Sequence, residues 1–164
     1  MRRTIFSLSA LVFLCLFPLA VAGEGLPNHL FGAKVGEWAL FSVPGGYTQK
    51  QTIVGRQGSG ADADVTIRVE TSLNGNLVDS QEITELAGDA TVPQPEPEPG
   101  TAVTVTAATL AVKGTNYPVT VVTTTERDGT VESWHVSPDI PVYGLVKQVV
   151  DGKTEVELVD FGWN

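Results

Sequence analysis

The side chains best able to do chemistry in this chain are two histidines, nineteen carboxylates and twelve aromatics. His135 stands between Trp134 and Val136, with Ser133 and Asp139 close by in sequence. Serine, histidine and a carboxylate make a nucleophile when the histidine takes the serine proton and the acid orients the ring. That arrangement is assembled in space, and neighbours along one strand do not supply it. A histidine on the strand face opposite Trp134 is the simpler expectation. His29 belongs to a glycine-rich leader and is expected to be an exposed polar residue.

Gly58-Ser59-Gly60 has the look of a phosphate-cradling loop, but such a loop must open a helix whose N-terminus holds the anion. The alternation of Val65, Ile67 and Val69 against Asp64, Thr66, Arg68 and Glu70 predicts a strand there instead. Asp62 and Asp64 lack the glycine and glutamate of a calcium loop. Glu82 with Glu85, and Glu155 with Glu157, are pairs that eleven glutamates produce by accident. A glycosidase would need two carboxylates facing each other across a cleft. The only cysteine, Cys15, excludes an intramolecular disulfide and a multi-cysteine metal site. The expectation is no catalytic residue, no metal, no cofactor and no enzyme.

Charge and length narrow the class further. At 164 residues the chain is one domain, and a net charge of −9 argues against nucleic acid and against an anionic membrane face. Arg2 and Arg3 precede an apolar run over 5–19 and then Ala20-Val21-Ala22, the parts of a secretory signal. The run is too short to span a bilayer as a helix, which takes roughly 20 residues. The expected organisation is a signal over 1–22 cut after Ala22, then a single β domain over 23–164, secreted or periplasmic and not integral to a membrane. A large Leu14 before Cys15 argues against a lipoprotein signal. No Asn-x-Ser/Thr sequon occurs, which leans the reading towards a bacterial envelope.

The elements that must position these residues are strands. Valine (23) and threonine (18) make a quarter of the chain, and their stiff χ1 favours pleated sheet. Strands are expected over 37–43, 47–54, 64–72, 76–86, 103–112, 117–126, 130–136, 145–150 and 153–161. Asn74-Gly75, Asp128-Gly129 and Asp151-Gly152 mark tight hairpins. A weak helical stretch is expected over 28–33, and a flexible connection over 55–63. Prolines 93, 95, 97 and 99 alternate with Gln94, Glu96 and Glu98 in a stiff extended loop over 91–100 that cannot donate ladder hydrogen bonds. The expected fold is mostly β: a single curved antiparallel sheet of about nine strands, a half-barrel or open barrel with little helix.

Two stretches add a resemblance. Trp134 with 137–147 (SPDIPVYGLVK), then 157–163 (ELVDFGW), resembles the closing segment of a group of uncharacterised bacterial exported β-sheet proteins. These are distantly similar to the half-barrel superfamily of periplasmic lipoprotein carriers, and Gly36-Glu37-Trp38 fits the start of the same pattern. The resemblance implies a curved sheet around an apolar cavity. The function it suggests is a non-catalytic module holding a lipid or other apolar small molecule on the concave face, with Trp38, Phe41, Trp134 and Tyr143 as ligand-binding residues. The alternative is a structural or protein-interaction component of the cell envelope, meeting an unknown protein partner through an exposed edge strand.

Overall fold

The computed structural model describes residues 26–92 and 99–163. The expected signal and residues 93–98 of the proline stretch lie outside the described residues. Nine long strands form one sheet: β1 (Glu37–Val43), β2 (Tyr47–Gln57), β3 (Asp64–Leu73), β4 (Asn76–Leu86), β5 (Ala102–Val112), β6 (Thr115–Thr125), β7 (Val131–Val136), β8 (Leu145–Val150) and β9 (Lys153–Trp163). Their order across the sheet is β4-β3-β2-β1-β9-β8-β7-β6-β5, and every neighbouring pair is antiparallel. The chain therefore starts at the centre, meanders out to the β4 edge, passes to the opposite edge at β5, and returns to close against β1. The sheet is not closed, since β4 and β5 each keep one side without a strand partner among the described residues.

Local chemistry explains the boundaries. Asn74-Gly75, Lys113-Gly114 and Asp151-Gly152 all have positive φ at both turn positions, the backbone that matches the twist of two paired strands. The helical expectation over 28–33 shrinks to a single turn, α1 (His29–Gly32). Asn28 caps it, its Oδ1 accepting from the Leu30 N–H at 3.1 Å, while its Nδ2 donates to the carbonyls of Ala87 (2.6 Å) and Asp89 (2.9 Å). The connection expected over 55–63 is shorter than anticipated. A register shift between Ile53 and Gly55 lets β2 run on to Gln57, and a 3-10 turn (Gly60–Asp62) leads into β3. Arg56, at that end of β2, donates to the carbonyls of Leu30 (2.8 Å) and Phe31 (3.0 Å), tying the open C-terminus of α1 to the sheet.

The core lies on one face. Ala39 and Phe41 of β1, Ile53 of β2, Val65 and Ile67 of β3, and Val156 and Leu158 of β9 belong to a single buried cluster. The sheet coils enough to bring distant strands together. Tyr117 of β6 meets Phe161 of β9 edge to face at 5.5 Å, although β7 and β8 lie between them in the sheet. The Lys113 ammonium reaches both carboxylate oxygens of Asp160 at 3.0 Å. A second small cluster joins Leu26, ahead of α1, to Val103, Val122 and Val136.

Candidate functional site

The four aromatics expected to hold a ligand do not share one surface. Trp38 and Phe41 are three residues apart on β1, so they point to opposite faces of the sheet. Phe41 enters the core, opposite Leu158. Trp38 lies on the outer face, where the Lys50 ammonium stands 5.0 Å from the ring centre and Gly162 leaves room beneath it. Trp134 is 8% exposed and belongs to the same cluster as Phe41. Tyr143 is half-buried against that cluster from the loop over 137–144. Three of the four thus meet in the core and one is excluded from it.

That loop fills part of the concave side. Ile140 and Val142 are each 1% exposed and belong to the core. Val142 has φ 69°, a left-handed backbone that a β-branched residue adopts only when its surroundings compel it. Gly144 follows with φ 71°, a backbone that favours glycine, and the His29 ring packs against it. The Tyr143 hydroxyl stands close enough to the Glu85 carboxyl of β4 to favour its charged form, so the loop between β7 and β8 reaches the strand at the far edge of the sheet. Burial raises the Glu85 pKa above the ordinary carboxylate value, and the Tyr143 hydroxyl partly offsets this. Burial lowers the pKa of His29.

The core face also carries buried polar side chains. Gln49, Gln51, Thr71 and Gln148 are all buried, with Gln51 Nε2 donating to Gln49 Oε1 at 3.0 Å and Gln148 Nε2 donating to Glu132 at 2.6 Å. An open cleft of ≈ 390 Å³ lies between α1 and the 137–144 loop; its rim includes His29, Glu37, Asp139 and the 73% exposed Trp163. The cleft is open and its lining surface is mainly polar, unlike an enclosed cavity for an acyl chain.

His135 is placed beside Lys147. It pairs in register with Val121 on one side and Lys147 on the other. Its pKa is lowered by burial and by the Lys147 charge. The Ser133 hydroxyl exchanges its hydrogen bond with Thr123 at 2.9 Å. This arrangement puts a cation, rather than an orienting carboxylate, beside the imidazole.

The feature that residue-by-residue reading missed is at the β5 edge. Residues 104–109 are exposed at every position, so both faces of the strand are open there as well as its free side. The strand pairs with β6 over its whole length with no bulge. From 101 to 125 the sequence holds one charged residue, Lys113, and its charge is already satisfied by Asp160. The opposite edge, β4, carries Asp79, Glu82 and Glu85. An uncharged run of this length in an acidic chain was a signal available in the sequence. Compared with models of protein families, with curated proteins and with solved structures, the chain finds no match in any of the three, so the resemblance of its closing segment remains an expectation.

Proposed function

We propose that this protein is an exported, non-catalytic interaction module of the cell envelope that takes up an extended polypeptide segment along the free side of β5. The observation that carries the reading is the 104–109 stretch, uncharged and open on both faces at the edge of the sheet. An edge strand presents a row of unpaired N–H and C=O groups, and proteins ordinarily blunt it with charge, proline, a bulge or a cover. Over 104–109, β5 has none of these among the described residues. Strand addition draws its affinity from main-chain hydrogen bonds and its selectivity from alternate side chains, here valine, threonine and alanine. Export rests on Arg2, Arg3, the apolar run over 5–19 and Ala20-Val21-Ala22; an intact-mass measurement on natively produced protein is expected to find Gly23 at its start.

The apolar-ligand reading is weaker because Trp38 is turned away from Phe41, Trp134 and Tyr143, and because Ile140 and Val142 take up part of the concave side. An organic extract of the native protein is expected to contain no stoichiometric lipid; finding one would restore that reading. The direct test is a nuclear magnetic resonance titration with a strand-length peptide of alternating valine and threonine, made soluble by terminal lysines. Shifts are expected to concentrate in Ala102–Val112 and to disappear in Ala107→Pro. Shifts centred on the concave face, or none at saturating peptide, would refute strand uptake.

A further inference from the structure

We infer that the strand β5 takes up is β5 of a second copy, laid antiparallel across a two-fold axis at Ala107, a deepening that rests on the strand-uptake reading above. Ala107 is the middle residue of Ala102–Val112. Pairing about it sets Val103 opposite Ala111, Thr104 opposite Leu110, Val105 opposite Thr109 and Thr106 opposite Ala108. Residues opposite each other then share a face, as an antiparallel ladder requires. Every such pair is uncharged, and most combine a β-branched side chain with a small or aliphatic one, pairs that favour a sheet.

Charge limits where a second copy can dock. The chain carries −9, and a second copy carries the same charge, so two molecules repel wherever their acidic surfaces meet. The β5–β6 ribbon is where that repulsion is weakest, since its single charge, Lys113, is held by Asp160. A basic partner drawn by the overall field would find no carboxylate on either strand of the ribbon. The other edge cannot serve in the same way. Two β4 strands side by side would bring two sets of Asp79, Glu82 and Glu85 together. Pairing through β5 therefore leaves only acidic edges outward, and the assembly stops at two. Because the bodies repel while the contact is neutral, salt should strengthen the pair, the reverse of the salt effect on a complex with a basic partner.

The experiment is disulfide trapping combined with light scattering on the purified protein from Gly23 onward, which lacks Cys15. In the two-fold register Ala107→Cys faces its own copy and is expected to cross-link as the dominant product under mild oxidation. Thr104→Cys lies about 20 Å from its copy, six residues along the strand, and is expected to stay uncross-linked. The pair Thr104→Cys with Leu110→Cys is expected to cross-link. The unmodified protein is expected to show twice the monomer mass, with a dimer fraction that rises between about 0.01 and 0.5 M salt, as the screening length falls from about 30 Å to about 4 Å. A monomer mass at every concentration, with no Ala107→Cys cross-link, overturns the second copy. If the valine–threonine peptide still shifts β5 in that case, strand uptake stands and only its occupant is wrong. A ladder of multimers overturns the two-fold axis in favour of β4 pairing with β5 head to tail.

Discussion

The two edges of this sheet have equal length and differ in charge: β4 carries three carboxylates beside exposed Leu77, Val78 and Leu86, and β5 carries no charge. β4 and β5 each run for 11 residues, each pairs along its inner side, and each has an outer side without a strand partner among the described residues. β4 sets acids along its length, one of them locked to Arg68 (Glu82, 2.7 Å) and another turned inward to Tyr143 (Glu85). β5 sets none. β4 is thus defended against strand addition by charge, as edges usually are, and β5 is not. Since the backbones are alike, the difference is written in side chains, and side chains can reverse it.

The largest effect separates residues that hold the fold from those that only border it. Ile53→Ala or Ile67→Ala, both fully buried, is expected to cost about 2–5 kcal/mol in denaturant unfolding. Val105→Ala in β5 is expected to cost less than about 1 kcal/mol, because Val105 is 38% exposed. Equal losses would mean that β5 is built for the interior and would break the comparison. Next comes charge on the neutral edge. Thr106→Lys is expected to make the protein monomeric by light scattering, with unfolding stability changed by no more than about 0.5 kcal/mol. The converse variant, Asp79→Asn with Glu82→Gln and Glu85→Gln, removes the defence of β4 and is expected to give growth beyond the dimer.

The smallest effects concern pH. Glu85 has a raised pKa in the folded protein, so the fold favours its protonated form; the stability this provides is present below the ordinary value of 4.5 and lost as pH rises through the folded value. Glu85→Gln, which keeps an acceptor for Tyr143, is expected to raise Tm at neutral pH and to have little effect in acid. His29 has the opposite slope. Its pKa is lowered by burial, so stability is present above 6.5 and lost as pH falls below it. Tm is expected to drop on acidification below that point, less so in His29→Gln.

Much of the fold was legible. The Asn74-Gly75 and Asp151-Gly152 turns carry the positive φ that those residue pairs tolerate, and the strand bounds 37–43, 76–86 and 145–150 match β1, β4 and β8. Alternation fixed which face of β3 is buried, because a period of two leaves no choice once one face is apolar. The ends of β2 and β9 ran longer than expected, for a reason that local pattern does not contain. Arg56 is pinned by carbonyls 25 residues away in sequence, and Phe161 by Tyr117 from three strands across. The candidate site was read less well. Four aromatics suggested one apolar surface, but the three-residue spacing of Trp38 and Phe41 on a strand already places them on opposite faces. The link from Tyr143 to Glu85 depends on how far the sheet coils, which no single strand records.

The central claim, that β5 and not β4 is the edge that accepts a strand, is tested most directly by amide hydrogen exchange of the same protein at two concentrations, one well below and one well above the association range. Local opening governs exchange at unpaired edges, so added pairing reads out as protection. The amides of Ala102–Val112 are expected to gain protection at the higher concentration while those of Asn76–Leu86 remain unchanged. Protection that rises in Asn76–Leu86, or in neither strand while the mass doubles, would contradict the account.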